Sequence, residues 1–290
     1  MNNKFVLTLV CILLSLSTPI HSRNTTTHLI SASATVGYSN IVEDYNDMNT
    51  FGKTGGGLGI NYELRNNHFS FTTGLEGQLL KCRTQFTMPV VDAQIYDTQG
   101  KIATMHYQIG SVTENIQSLY VAVPIMFGYY NYGFYIGGGF KVAMPIKSTV
   151  TSAYKYSTSA TYNEYIEDFE NMHNYGSYDR VSKNKLNSAI KYSLVAEVGY
   201  NILSAKYRRY NNYQHGLRIS AVCEYSLNNL VKTPTATPIY DINPNNANDL
   251  NLHPYFSANS TQNHIINHLY VGAKLTWTFR LSQGKCAECE

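Results

Sequence analysis

The sequence has few charged residues and, beyond its first residues, no long apolar run. Asp, Glu, Lys and Arg make up 14% of the 290 residues, which is low for a soluble domain of this size. The 22 basic and 19 acidic residues nearly balance, so the charge favours neither nucleic acid nor an acidic substrate as a partner. Because no later stretch has the ~20 apolar residues of a membrane helix, contact with a bilayer would require a β-barrel or surface attachment.

Residues 1–22 have the features of a secretory signal peptide. Lys4 supplies the positive charge, residues 5–16 form the apolar segment, and residues 20–22 offer a cleavage site. The apolar segment is too short to span a membrane as a helix. The sequence therefore predicts export across the inner membrane and removal of residues 1–22.

Tyrosine is unusually common, with 25 residues in the chain. This enrichment is typical of outer-membrane barrels, in which aromatic rings lie at both membrane interfaces. It would also suit loops that bind a partner through tyrosine side chains.

The C-terminal segment 268–280 alternates strictly between two kinds of side chain. The odd-numbered residues from Leu269 to Phe279 are all apolar, whereas the even-numbered residues are polar, small or charged, except Tyr270. Since successive side chains of a strand point to opposite faces, this strand has one apolar and one polar face. Seven further segments show the same alternation: 28–39, 55–65, 68–81, 118–129, 133–145, 188–202 and 216–227.

The connections between these eight segments alternate between long and short, as in bacterial outer-membrane barrels with short periplasmic turns and long external loops. Within lipid every backbone group must be paired, so the sheet must close on itself. The sequence thus predicts a transmembrane, eight-stranded, antiparallel up-and-down β-barrel with long external loops over residues 23–281. A periplasmic tail follows at 282–290. A soluble barrel or sandwich is the alternative, and it would not need this alternation of loop lengths.

Three local features refine the prediction. Residues 89–96 and 102–109 flank a turn-forming stretch, which predicts a hairpin that projects beyond the membrane. Residues 162–173 are compatible with a short helix. Pro124 cannot donate a hydrogen bond to the ladder, so a local bulge is expected there.

The chain resembles the PorT-like family of outer-membrane β-barrel proteins in three places. Residues 118–125 (SLYVAVPI) resemble that family's aromatic-x-x-Ile-Pro-Leu strand, and residues 134–139 (FYIGGG) resemble the glycine-rich strand that follows it. Residues 224–229 (EYSLNN) resemble its Arg-Tyr-x-x-Gly-Leu-x-Asn stretch, with Glu224 in place of the arginine. The resemblance implies an eight-stranded outer-membrane barrel whose best-known relatives assist secretion and gliding machinery.

Four acidic and three basic residues share the inward phase of the predicted strands. An eight-stranded barrel has room only for side chains or one small ligand, and buried charges must be paired. We therefore expect an ion-pair network that plugs the lumen, with an ion or proton path as the alternative. The residues are Glu63, Glu76, Lys141, Glu197, Arg218, Glu224 and Lys274.

Weaker patterns at other positions predict little chemistry. Cys286 and Cys289 are expected to form a local disulfide in the tail. Asp241, Asn243, Asn245 and Asp249 match only part of a calcium loop, and His264 and His268 lie about 13 Å apart on a strand, too far for one metal ion.

Two further sequence patterns are weak candidates for a functional site. The residues Gly52, Lys53 and Thr54 form an incomplete phosphate loop. His106 or His173 could serve a lipid-modifying enzyme at the outer rim.

From the sequence we expect a non-enzymatic outer-membrane protein without cofactor or metal. Its partners would be outer-membrane lipid and an envelope or secretion-machinery protein, bound through the long loops or the periplasmic face, and not nucleic acid. An outer-leaflet lipid-modifying enzyme and a small diffusive pore are the alternatives. Arg218→Ala is expected to destabilise the barrel, and Glu224→Gln or Glu76→Gln to recover part of the loss.

Overall fold

The structure is a computed structural model that describes residues 26–42, 48–66, 68–96, 102–162, 172–202, 215–232, 239–242, 250–255 and 266–282. None of these residues belongs to a helix long and apolar enough to cross a membrane. The described strands are β1 (Thr26–Val42), β2 (Met48–Asn66), β3 (Phe69–Thr87), β4 (Val91–Tyr96), β5 (Ile102–Ile109), β6 (Ser111–Asn131), β7 (Phe134–Tyr162), β8 (Met172–Lys185), β9 (Lys191–Asn201), β10 (His215–Ser226), β11 (Tyr240–Ile242), β12 (Leu250–Leu252) and β13 (Asn267–Ser282).

Eight of the strands form a closed antiparallel ring. The order around the ring is β1–β2–β3–β6–β7–β9–β10–β13, and β13 pairs again with β1 over most of its length. Each strand of the ring pairs only with antiparallel neighbours. The predicted eight-stranded transmembrane barrel is therefore confirmed, because closure leaves no unpaired edge within the ring.

The two faces of the ring are as the alternation predicts. On β13, Leu275 and Trp277 point outward and are about half exposed, whereas Thr276 between them is buried in the lumen. The same holds around the ring, where large apolar side chains form an outward belt that lipid would cover. The belt includes Ile30, Val36, Leu58, Ile60, Leu75, Ile125, Phe127, Ile136, Phe140, Val198, Ile219 and Val271.

One end of the barrel has tight connections, and we call it the turn end. β2 ends at Asn66 and pairs there with Phe69, the first residue of β3. Between β6 and β7, Tyr132 and Gly133 both have positive φ, of 47° and 93°. Two successive residues of this kind are typical of the type I′ turn that joins adjacent antiparallel strands.

At the opposite end, four barrel strands continue into a second structure that we call the projection. β7 passes its last pair with β9, at Ala143, and runs on to Tyr162, which is roughly 60 Å of strand at about 3.3 Å per residue. The extended parts of β2, β3 and β6 lie beside it. The β4–β5 hairpin pairs with β7 on one side and β8 pairs with β7 on the other.

This projection confirms the hairpin and corrects three other expectations from the sequence. Much of the segments 83–117 and 146–187 is strand and not loop. Tyr162 and the pair 172–173 belong to strands, which contradicts a helix beginning or ending there, while residues 163–171 lie outside the described ranges. The sixth ring strand begins at Lys191, and Ser188 forms only an isolated bridge with Val231.

The bulge occurs in a different place from the one predicted. β6 keeps its register with β3 across Pro124, although pairing is interrupted opposite Gly74 and Leu75. The irregularity in the pairing of β6 with β7 lies instead between Leu119 and Tyr120, where β7 has one extra residue, Ile146. Ile146 and Lys147 both face outward as a result, so the inward phase changes from odd to even residue numbers beyond this point. Because of this change of phase, strict alternation did not predict the second half of β7 as strand.

The projection has a hydrophobic core of its own. Val112, Val150, Tyr154 and Tyr156 are buried on its inner face. The connection between β10 and β13 covers them with Leu230, Val231, Leu250, Leu252, Tyr255 and Ile266. The projection is therefore a packed unit fixed to one side of the barrel.

Candidate functional site

All seven charged residues that the sequence assigns to the lumen lie inside the barrel, and two further cations join them. Together they form one chain of alternating charge along the lumen. Its order is Lys191, Glu224, Lys141, Glu76, Lys274, Glu197, Arg218, Glu63 and Arg65.

The half of this chain near the projection is held by three lysines. Lys191 Nζ lies 2.5 Å from Glu224 Oε1, and Lys141 Nζ lies 3.0 Å from the other oxygen of the same carboxylate. Lys141 also contacts Glu76 Oε2 at 2.8 Å, and Lys274 Nζ lies 3.5 Å from Glu76 Oε1. Each carboxylate in this half therefore touches two cations, whereas Lys191 has Glu224 as its one acidic contact among the described residues.

The half of the chain near the turn end is held by two arginines. Lys274 Nζ is 3.2 Å from Glu197 Oε2, and Arg218 Nε is 3.3 Å from Glu197 Oε1. Arg218 Nη1 lies 3.6 Å from Glu63 Oε2, and Arg65 Nη2 lies 2.6 Å from Glu63 Oε1. Because buried ions are stable only when they are paired and hydrogen-bonded, the continuous alternation explains how nine charges fit in one narrow lumen.

Two tyrosines position Arg218 in this network. Tyr130 Oη donates to Glu63 Oε1 at 2.8 Å and accepts a hydrogen bond from Arg218. The Arg218 guanidinium lies 4.0 Å from the centre of the Tyr135 ring, a distance suited to a cation–π contact. The Tyr135 ring lies over Gly128 and Gly137, where an added Cβ would come within 2.3 Å of the ring or its hydroxyl. These two glycines therefore make room for the tyrosine that supports the arginine.

The network predicted from the sequence omits four polar residues of the lumen, although the phase of their strands contained the signal. Lys191 has the same odd-numbered phase as Glu197, and Arg65 the same phase as Glu63. Gln78 bridges the network, since its Nε2 donates to Glu224 Oε2 at 3.0 Å and its Oε1 accepts from Lys191 at 2.9 Å. The fourth is His268, which is not near a metal site; its Nε2 lies 2.9 Å from Ser39 Oγ.

Buried side chains occupy the lumen in the described part of the barrel. The cavity around Glu76, Lys141 and Glu224 has a volume of about 20 Å³. A second cavity of about 20 Å³ lies at the mouth toward the projection, beneath Leu230 and Ile266. A water molecule needs roughly 10–15 Å³ on this measure, so neither cavity has room for more than about one water. The lumen is therefore a filled plug in this structure.

The remaining candidate residues do not form a site in the described ranges. No group of three or more His, Cys, Asp or Glu side chains that could hold a metal occurs there. Asp241 lies in the short strand β11, whereas Asn243, Asn245, Asp249, His264, Cys286 and Cys289 fall outside the described residues. The residues Gly52, Lys53 and Thr54 lie within β2 and not in a loop.

Three hydrogen-bonded residues on the projection form an acid–histidine–hydroxyl arrangement like that of a hydrolase triad. His106 Nδ1 lies 2.7 Å from Asp92 Oδ1, and His106 Nε2 lies 2.9 Å from Thr161 Oγ1. The three residues are on the neighbouring strands β4, β5 and β7. Their surroundings differ from those of a buried triad, because the Asp92 side chain is 61% exposed and screened by solvent. The trio ties the hairpin to β7 and lies roughly 50 Å of strand beyond the apolar belt.

A buried carboxylate fixes the covering segment to the projection. Glu114 Oε1 accepts hydrogen bonds from Ser152 Oγ and from the backbone N–H of Tyr255, both at 3.1 Å. The donors are neutral, and burial raises the pKa of Glu114 to about 7. Glu114 lies in the part of β6 that belongs to the projection, outside the membrane-spanning ring. The carboxylate therefore joins β6, β7 and residue 255 in a manner that depends on its protonation.

No protein-family model and no curated protein matches the sequence. Among solved structures, the chain is similar to Neisserial surface protein A, with 7% identity and a TM-score of 0.27 over 87% of this chain and 97% of that one. It is also similar to Ail, the attachment invasion locus protein of Yersinia pestis, with 12% identity and a TM-score of 0.26 over 86% and 99% of the two chains. At these values the likenesses assign no function to this chain.

Proposed function

We propose that the protein is a non-enzymatic outer-membrane barrel that presents its projection to an envelope protein partner. The signal peptide expected at residues 1–22 and the outward apolar belt support the outer-membrane address. Because bacterial outer-membrane barrels have short periplasmic turns and long external loops, the turn end would face the periplasm and the projection would lie outside the cell. The filled lumen supports a role that depends on surfaces and not on transport.

The single observation that carries the proposal is the form of the projection. Four ring strands continue into it, and its core packs around Val150, Tyr154 and Tyr156. An open loop would have to lose conformational entropy on binding, whereas a packed sheet offers a surface that is already ordered. Such a structure is typical of a binding platform.

The edge strand β4 is the part of the projection best suited to a protein partner. β8, at the other edge, carries Lys183 and Lys185 and has a register irregularity near Thr158, features that block strand addition. β4 pairs regularly with β5, and Gln94 and Tyr96 are exposed on it. A partner could therefore add an extended segment beside β4 through backbone hydrogen bonds.

The resemblance to the PorT-like family extends this proposal to a class of partner. Its best-known members assist secretion, so a component of the secretion or envelope-assembly machinery is the partner that we propose. A fold shared with such proteins does not by itself fix the role, and the partner must be identified directly.

Site-specific photo-crosslinking in intact cells tests this proposal. A photoreactive residue at Gln94 in β4 should capture a discrete envelope protein, whereas the same residue at Val181, 73% exposed in β8, should not. The two positions share one sheet, so Val181 controls for surface exposure. If a surface-exposed, folded protein gives no protein adduct from Gln94, the binding platform is wrong.

The pore and the enzyme receive less support. The ion-pair network occupies the lumen, and the two cavities described there have volumes of only about 20 Å³ each, so a steady single-channel conductance in planar bilayers would contradict a plugged lumen. The Asp92–His106–Thr161 trio is too far from the apolar belt to reach a lipid in the membrane. Chemical turnover of outer-membrane lipid by the purified protein, lost in Thr161→Ala, would contradict the non-enzymatic proposal.

A further inference from the structure

A set of cations lies on the outward face of the projection, at the level where the apolar belt ends. On β3, Lys81 is the next outward residue after Leu79, and Arg83 follows it. On β7, Lys147 directly follows Ile146, which is 62% exposed. The set, which we call the cationic band, consists of Lys53, Lys81, Arg83, Lys147, Lys183 and Lys185.

Strand pairing places these residues on one continuous face. Lys185 pairs with Thr149, two residues beyond Lys147 on β7, and Lys183 pairs with Thr151. The face continues through β6 to β3 and β2. The cations of the band therefore lie on the four strands β2, β3, β7 and β8, with β6 between β3 and β7, on the outside of the sheet.

Two members of the band are held close together without an acidic partner. Lys53 Nζ donates to Asn115 Oδ1 at 2.6 Å, and Arg83 Nε donates to the same oxygen at 3.2 Å. Asn115 is neutral, so it orients the two cations without cancelling their charge. An anion placed between them would relieve their mutual repulsion and could accept further hydrogen bonds from Arg83.

The charge of the band is not balanced elsewhere on its face. Among the described residues, no carboxylate lies within ion-pair distance of any of its six cations. Asp179 is on the same face but farther from the belt, and it pairs with Lys155 at 3.2 Å. On the barrel strands of the other half the outward residues Tyr192, Leu227 and Val42 are neutral at this end, and the exposed Lys232 follows β10 in the covering connection. The cationic band would therefore attract anions to one side of the barrel.

We propose that the cationic band binds the phosphate groups of phosphorylated lipid headgroups in the leaflet next to the projection. The proposal rests on the outer-membrane setting proposed above. The first polar groups beyond an apolar belt are lipid headgroups, and long basic side chains can extend from the belt to reach them. A soluble polyanion would not need cations at this level, whereas a headgroup phosphate can be reached only there. Because the band is one-sided, we expect one or a few bound lipids and not a uniform shell.

Binding to a defined lipid in neutral nanodiscs tests the proposal. The probe is a bis-phosphorylated lipid A in phosphatidylcholine, and the same lipid with both phosphates removed is the matched probe. Removing one cation near an anionic surface should weaken binding roughly fivefold. The pairs Lys53→Gln/Arg83→Gln and Lys81→Gln/Lys147→Gln should therefore each raise the apparent Kd at least tenfold. Lys155→Gln, on the same face beyond the band, is the control and should leave the Kd unchanged.

Three results would overturn the proposal. The first is equal binding of the phosphorylated and dephosphorylated lipids by the wild-type protein. The second is an equal loss in Lys155→Gln. The third is a loss of binding to a soluble sulfated polysaccharide in the band variants with unchanged lipid binding, which would assign the band to a soluble polyanion. Strand content and heat-modifiable migration establish that each variant is folded, and Gln94 crosslinking tests the partner platform separately.

Discussion

Arg218 and Glu197 lie on adjacent strands of the barrel, and Arg218 Nε is 3.3 Å from Glu197 Oε1 although the two residues are not cross-strand partners. Arg218 is paired with Asn201, and Glu197 is paired with Val222. The two residues are therefore offset along the lumen by about four residues, or roughly 13 Å of strand, which the arginine and glutamate side chains span together. The contact depends on the stagger of the strands and on the length of the side chain.

Arg218→Ala should lower the unfolding temperature of the barrel in detergent, because Glu197 and Glu63 each lose one of two cations. Glu197→Gln in the same chain should recover part of the loss, since Lys274 keeps Glu76 as a partner. Glu224→Gln should deepen the loss, which reverses the rescue expected from sequence. Strand circular dichroism during heating measures all three variants, and rescue by Glu224→Gln would contradict the contact order described for the lumen.

Neutralising Glu224 should destabilise the barrel much more than neutralising Lys191. Glu224→Gln leaves Lys191 fully buried without an acidic contact, and stranding a buried charge typically costs ~3–5 kcal/mol. Lys191→Met should cost much less, because Glu224 keeps Lys141. The double variant should be more stable than Glu224→Gln alone. Urea unfolding in lipid vesicles gives the three free energies, and equal losses for the two single variants would mean that water reaches the pair.

The sequence was sufficient to predict the ring of eight strands but not the contacts between side chains in its lumen. A period of two reveals which face each residue takes, so Leu275 and Glu224 could be placed outward and inward without a structure. The partners of Arg218 could not be derived, because the stagger of eight strands is a property of the closed ring. The projection was missed for a local reason: the extra residue Ile146 reverses the phase of β7, and the Ser- and Thr-rich strand beyond it resembles a loop in composition.

Leu275→Arg should destabilise the barrel in a bilayer by ~2–4 kcal/mol if Leu275 lies near the midplane. Leu275 points outward near the middle of β13, opposite Ala34 on β1. Leu281→Arg is the matched control, because Leu281 also points outward but lies at the turn end, where the cost should fall to about 0–1 kcal/mol. Both values come from folding into vesicles over a denaturant series. Equal costs at the two positions would show that the belt is assigned to the wrong depth.

The segment that covers the projection should detach more readily as the pH rises. Burial raises the pKa of Glu114 from 4.5 to about 7, although the hydrogen bonds from the Tyr255 N–H and from Ser152 oppose this shift, so the buried site favours the protonated carboxyl group. Protonated Glu114 stabilises the docked segment fully below about pH 4.5, and this stabilisation is lost as the pH rises through 7. The free energy of docking changes by up to about 3 kcal/mol over this range. Glu114→Gln keeps an oxygen acceptor for Ser152 and Tyr255 but cannot ionise. Hydrogen exchange of residues 250–255 between pH 5 and 8, corrected for the intrinsic rate, should show opening that increases with pH in the wild type and is flat in Glu114→Gln. Opening that decreases with pH, or the same slope in both proteins, would remove Glu114 as the group that controls this contact.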